Sequence, residues 1–286
     1  MRNTKVLAAA GVAVLLSMSP VFAADLPMRP SLPYAPPAPP EDPSGWYLRG
    51  DIGFSNQRFD KLSINNPTLN AGIVPGTFSQ TSSVDTGGIF DVGVGYQFNN
   101  WFRGDVIGQY RGKAGLKAVD LFSTPVGGGV TTPVVDTYAG SKSELLFLAN
   151  AYVDLGTWWG VTPFIGAGVG TSRVTISNFA DVSLISPTYG GPGVAYAQEG
   201  SKWNFAWAAH AGLAFKVDPR LTLELGYSYV DLGSGVTGRA ATYDQPLSPY
   251  VFNFDHITSH DLKLGLRWNL DCPPPYAPLP PLVRKG

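Results

Sequence analysis

Eight stretches of about ten residues alternate apolar with polar side chains, and the connections between them alternate between short and long. In the clearest stretch, Leu221-Thr222-Leu223-Glu224-Leu225-Gly226-Tyr227-Ser228-Tyr229, every odd position is large and apolar and every even one is polar or glycine. That is the period of a strand with two different faces. Strands are predicted near Gly45–Ser55, Gly88–Phe98, Trp101–Arg111, Ser143–Leu155, Val161–Arg173, Lys202–Val217, Leu221–Asp231 and His260–Leu270. Asn99-Asn100, Gly156 to Gly160 and Asp218-Pro219-Arg220 make tight turns. The connections around 56–87, 112–142, 174–201 and 232–259 are longer than a compact domain normally tolerates. The pattern predicts an all-β chain: an eight-stranded antiparallel up-and-down barrel with short turns at one end and four long loops at the other.

Alternation alone does not say which face of the barrel is apolar, because soluble and membrane barrels both repeat every two residues. Composition decides it. Asp, Glu, Lys and Arg make up 14% of the 286 residues, against about 25% in ordinary soluble domains. The apolar faces are therefore expected to meet lipid, through Leu48, Ile52, Phe90, Val92, Val106, Phe147, Leu213, Leu225, Leu262 and Leu264 among others. No run beyond the first residues approaches the ~18 apolar residues of a spanning helix, so strands must make the crossing, as in a Gram-negative outer membrane.

The start of the chain reads as a secretory signal over residues 1–23: Arg2 and Lys5, an apolar run from Val6 to Leu16, then Val21-Phe22-Ala23 for cleavage. A proline-rich segment follows over 24–44, the barrel spans 45–270, and a second proline-rich tail covers 271–286. Proline cannot donate to a ladder, so both segments are expected outside the barrel, on the periplasmic side with the termini. Cys272 is the only cysteine and reads as a spectator thiol. Trp46, Trp101, Trp158, Trp159 and Trp268 fall at strand ends on that same side, and Trp203 and Trp207 mark the opposite girdle, where indole rings sit at headgroup level.

The face opposite lipid collects Arg49, Asp51, Asp91, Arg103, Asp105, Arg111, Glu144, Lys216, Glu224, Lys263 and Arg267, with Gln109, Asn150, Asp154, Asn204, His210 and Asp261. A barrel of this size is wide enough only for its own side chains, so these charges are expected to pair across the lumen, Arg49 and Arg103 with Asp51 and Asp105. Glycines at Gly53, Gly93, Gly95, Gly166 and Gly168 remove bulk there and motivate the alternative of a narrow pore.

Three stretches carry a resemblance. Gly45-Trp46-Tyr47-Leu48-Arg49-Gly50-Asp51-Ile52-Gly53 resembles the opening strand of the small OmpA- and opacity-type barrels, in the branch of alphaproteobacterial surface antigens. Thr162 to Gly170 is similar to their fifth strand and Leu225 to Tyr229 to their seventh. The resemblance implies an outer-membrane protein of structural, adhesive or weakly pore-forming type, with no catalytic residues to carry over. Unlike many such chains, this one continues for sixteen residues beyond Trp268-Asn269-Leu270.

Catalysis has one candidate, Ser259-His260-Asp261, placed where a lipid-modifying enzyme of the outer leaflet would want it. Alternation opposes it, since adjacent residues project to opposite faces. Histidines and the cysteine lack metal-ligand spacing, and no cofactor is expected. A formal net charge of −1 gives no reason to expect nucleic acid. The expected partners are outer-membrane lipid and lipopolysaccharide, the barrel-assembly machinery, and a surface ligand held by the long loops, whose identity the sequence leaves open.

Overall fold

The computed structural model describes residues 44–66, 70–184, 191–242 and 250–271. The leader, Cys272 and the proline-rich stretches, apart from Ser44 and Asp271, lie outside the described residues. Among those described, eleven strands form one antiparallel sheet: β1 (Gly45–Ile64), β2 (Ser79–Val84), β3 (Gly87–Gln97), β4 (Phe102–Gly127), β5 (Val130–Asp154), β6 (Val161–Ser183), β7 (Gly193–Ala197), β8 (Gly200–Lys216), β9 (Leu221–Val236), β10 (Ala240–Thr242) and β11 (Phe252–Asn269). A ring passes through eight of them, β1-β3-β4-β5-β6-β8-β9-β11, and closes where β1 pairs with β11 from Tyr47↔Asn269 to Ile64↔Phe252. The three short strands lie outside the ring, β2 on β4, β7 on β6 and β10 on β7.

Near the chain ends and tight turns, the ring is apolar outside and polar inside. Leu48, Ile52 and Phe54 on β1 and Leu262, Leu264 and Leu266 on β11 are exposed, while Asp51, Ser55, Asp261 and Lys263 between them are buried. Trp46 to Phe54 spans nine residues, the length expected of a tilted membrane strand. Closure satisfies the backbone groups internally, as hydrocarbon requires.

The four long connections are mostly not loops. Strands β4 and β5 continue to Gly127 and Val130 and meet at Gly127, Gly128 and Gly129, whose φ values of 101°, 60° and 77° suit glycine. Strand β1 runs on to Ile64 and β6 to Ser183. Together with β2, β7 and β10 these extensions make an upper lobe beyond the apolar band.

In the lobe the pattern inverts. Phe59, Leu62, Leu116, Ala118, Val174, Ile176, Phe179, Phe252 and Phe254 point inward and are buried, while Arg58, Asp60, Lys113, Lys117 and Arg173 are exposed. This is the arrangement of a barrel in water, whose interior must hide its apolar groups. Phe179 lies tilted against Phe252 at 4.7 Å and meets Phe254 at 5.7 Å edge-on. The seam between β1 and β2 is bridged by one side chain: Gln80 Oε1 accepts from the Leu62 amide at 2.8 Å, and its Nε2 donates to the Leu62 carbonyl at 2.9 Å.

Candidate functional site

Inward positions of the ring build a charged belt in two layers. In the lower one Arg49 reaches Asp51 and Asp105, each at 2.8 Å, and Glu224 at 3.6 Å. Arg103 contacts Asp154 at 3.2 Å and Glu224 at 3.4 Å, with its guanidinium 4.3 Å from the Tyr152 ring centre. Arg267 reaches Glu224 at 3.5 Å. Glu224 is thus shared by three arginines at ion-pair rather than hydrogen-bond separations, and its Oε1 is buried without a hydrogen-bond partner. Lys263 pairs with Asp91 at 3.2 Å, and Gln109 donates to the same carboxylate at 2.8 Å. In the upper layer Arg111 bridges Asp261 and donates to Ser259 at 3.0 Å, and the fully buried Lys142 pairs with Glu144.

Several sequence expectations need correction here. Arg103 does not pair with Asp105; its acidic contacts are Asp154 and Glu224, and Asp105 belongs to Arg49 and to Asn150, which donates at 2.7 Å. Lys216 is exposed, because it ends β8 at the rim and its inward phase carries it past the lumen. Lys142, at the end of the long connection that the pattern predicts over 112–142, lies on β5 and is 1% exposed. The lumen is not charged throughout: Ile107, Leu146, Leu148, Ala206, Ala208 and Val230 line it as well. The other predicted belt residues, Arg49, Asp51, Asp91, Asp105, Arg111, Glu144, Glu224, Lys263 and Arg267, all project inward. The seven tryptophans are exposed: Trp46, Trp101, Trp158, Trp159 and Trp268 at the turn end, and Trp203 and Trp207 toward the lobe.

The lumen glycines are receptacles for large side chains. A Cβ on Gly95 would fall 2.2 Å from Tyr47 Cζ, one on Gly166 2.4 Å from Tyr152 Cδ1, and one on Gly168 1.9 Å from Asn150 Oδ1. The space that alternation alone reads as empty is therefore occupied by residues on neighbouring strands. Gly226 is the exception, with nothing within 4 Å of a Cβ. It borders a cavity of about 20 Å³ lined by Arg49, Asp51, His210, Ser228, Glu224 and Lys263, enough for about one water.

The candidate catalytic cluster is divided. Ser259 and Asp261 face inward and bond to each other and to Arg111, whereas His260 faces outward, where the Tyr227 hydroxyl lies 2.6 Å from its Nδ1. His210 stands between Ser228 at 2.8 Å and Asn150 at 3.2 Å, buried in the belt beside the water-sized cavity. Among the described residues, no group of three or more His, Cys, Asp or Glu is arranged to hold a metal ion.

The upper lobe carries its own acidic group. Asp120 on β4 lies directly opposite Asp136 on β5, and Asp181 on β6 lies opposite Tyr138. Gln80 donates to Asp120 at 2.7 Å. One oxygen each of Asp136 and Asp181 is buried without a hydrogen-bond partner. Burial, with Asp136 and Asp120 nearby, pushes Asp181 up to about 8; burial likewise raises Asp120 and Asp136.

The sequence model described as an outer membrane protein beta-barrel domain matches residues 30–269. An uncharacterized protein of Brucella abortus (strain 2308) is 31% identical over 243 residues, covering 81% of this chain and 82% of that one. Outer membrane protein PagN of Salmonella typhimurium is 29% identical over 206 residues, covering 66% and 75%. A Rickettsia bellii protein, named as a candidate adhesin, is 25% identical over 230 residues, covering 79% and 88%. A match over most of the ring, joined to lipid-facing strands and a closed backbone, places this protein in the outer membrane of a Gram-negative bacterium as a member of the outer membrane protein beta-barrel domain family.

Proposed function

We propose that the chain is an eight-strand up-and-down transmembrane barrel that works as a sealed pedestal, presenting its upper lobe at the cell surface in a structural or adhesive role. The observation that carries this reading is the filled interior. Paired charges occupy the belt, and the Phe59, Phe179, Phe252 and Phe254 rings occupy the lobe above it. A conducting barrel needs a continuous wet path, and an apolar constriction excludes it. The relative named as a candidate adhesin supports a surface role. In this reading residues 1–23 are a removed signal, 24–44 and 271–286 are periplasmic spacers, and the lobe faces outward amid lipopolysaccharide after insertion by the barrel-assembly machinery. The protein is not an enzyme in this reading, because Ser259 and His260 sit on opposite faces of β11.

Planar-bilayer recording of the purified protein tests it. The pedestal predicts a silent bilayer at high protein load, together with binding of intact cells to host-surface ligands that is lost when residues 116–139 are replaced by a short turn. Reproducible conductance steps would overturn the sealed lumen in favour of a narrow pore.

A further inference from the structure

On the outer wall, at the junction of belt and lobe, three neighbouring strands meet around one side chain. His256 on β11 points its Nδ1 at Asp60 of β1, 2.6 Å away, and its Nε2 at Asp231 of β9, 3.3 Å away. Both acceptors are carboxylate oxygens, and neither ring nitrogen has another partner among the described contacts. A neutral imidazole carries one N–H, so it satisfies one of these contacts and sets a lone pair against the other carboxylate; only the imidazolium donates to both.

The backbone beneath is irregular at this point. The β9–β11 ladder shifts register between Phe254 and Ile257 and again between Ile257 and Thr258. His256 itself has φ of 52°, a conformation that costs a non-glycine residue energy and persists only when its surroundings hold it. Across the ladder Gly233, with φ of 79°, sits opposite Ile257, and its amide donates to Asp231 Oδ1 at 2.8 Å. Asp231 therefore holds the kink of β9 with one oxygen and His256 of β11 with the other. We infer that His256, held as an imidazolium between Asp60 and Asp231, is a protonation-dependent clasp that fastens β1 to β9 over the bulge of β11, tightening the junction of belt and lobe in acid and releasing it as pH rises.

Around the ring three carboxylates favour the imidazolium and two cations oppose it. β1 brings Asp60, with Arg58 and Lys61 beside it; β9 brings Asp231; β11 itself adds Asp255. The hydrogen bond to Asp60 is the leading cause that holds His256 above the ordinary histidine range, with the charges of Asp60 and Asp231 adding to it. The sign follows from this direction: the fastened state is complete below the ordinary histidine value, near 6.5, and is lost as pH rises through the elevated one.

The test is hydrogen exchange on the full chain in phosphatidylcholine liposomes, with protection corrected for the intrinsic pH dependence of exchange. Amides of residues 231–236 and 252–258 are expected to lose about tenfold protection between about pH 5.5 and pH 8.5. In His256→Gln the same amides should sit at the released level at both pH values, and in His256→Gly, which accepts the backbone angle, they should do so too, separating the clasp from the strain. Changing Asp60 and Asp231 together to Asn should bring the imidazole midpoint, read by NMR, down toward the ordinary histidine value. Asp181→Asn should retain the step, since the lobe carboxylates are a separate titrating group. PH-independent protection in the wild type, a step that survives in His256→Gln, or an imidazole midpoint at or below about 6.5 would each overturn the clasp.

Discussion

Belt and lobe share the same strands but are built on opposite rules. Along β11, Arg267, Lys263, Asp261 and Ser259 face inward in the belt, and Ile257, Phe254 and Phe252 face inward in the lobe. On the outer wall Leu266, Leu264 and Leu262 give way to His260, His256 and Asp255. One strand therefore changes which face is apolar without leaving the sheet, and the change falls where the solvent outside it changes from lipid to water. In lipid the interior is the only place for polar groups, so the belt is held by charge pairing. In water the interior is the refuge for apolar groups, so the lobe is held by burial.

The sharpest way to break this contrast is to remove the hub of the belt. Glu224→Ala leaves Arg49, Arg103 and Arg267 facing one another in the lumen with a shared carboxylate gone. Breaking a buried network from one side costs about 3–5 kcal/mol. The variant should unfold in detergent well below wild type, measured as the temperature at which heat-modifiable gel migration is lost. An unchanged transition would mean that the belt is wet and its charges are already hydrated.

The lobe answers to volume instead. Phe179→Ala removes a ring that touches Tyr138, Phe252 and Phe254. Such truncations cost about 3 kcal/mol or more through lost burial and the cavity left behind. The effect should be local: limited proteolysis in liposomes should cleave the lobe strands faster, while the heat-modifiable migration of the membrane ring stays as in wild type. Loss of both together would show that the two regions fold as one cooperative unit.

How much of this contrast the sequence discloses follows from the same inversion. The ring was legible because outward Leu, Ile, Val and Phe at every second position leave few alternatives, and the inward phase of Arg49, Asp51, Arg103 and Glu224 follows from it. The lobe strands were not, because their outward residues mix Arg58, Lys117 and Arg173 with Val119, Leu121 and Val182, which blurs the alternation, and Gly127-Gly128-Gly129 reads as a loop from either side. Lys142 was lost with them. Ion-pair identity was illegible for a different reason: Arg103 finds Asp154 and Glu224 through register and ring closure, which bring together residues 51 and 121 positions apart. The lumen glycines misled because a missing side chain looks like space until the neighbouring strand supplies Tyr47 or Tyr152.

Acid and base separate the regions further. The carboxyl of Asp181, raised by burial first and by Asp136 and Asp120 after it, makes the lobe favour the protonated form. A raised folded-state value contributes stability that is complete below the unfolded value near 4 and is lost as pH climbs toward about 8. Cleavage within residues 116–139 of the lobe should accordingly speed up between about pH 5 and pH 8.5, and Asp181→Asn should remove the share of that rise that His256→Gln leaves. A wild-type lobe equally resistant across that range would show that solvent reaches the trio.

The smallest expected effect probes the belt from the side of space. Gly226 points into the lumen, and a Cβ there meets nothing within 4 Å, whereas the same addition at Gly95 strikes the Tyr47 ring. Gly226 is not among the residues with positive φ, so alanine adopts its backbone without strain. The substitution stiffens the unfolded chain and adds a methyl group beside the water-sized cavity, for a gain of about 0.4–1 kcal/mol. Gly226→Ala should raise the unfolding temperature in detergent slightly, the one belt substitution here expected to do so. A lowered temperature would mean that the cavity holds a water whose hydrogen bonds to groups such as His210 and Lys263 matter more than the filled volume, and the belt would then be a wet network in place of a closed set of ion pairs.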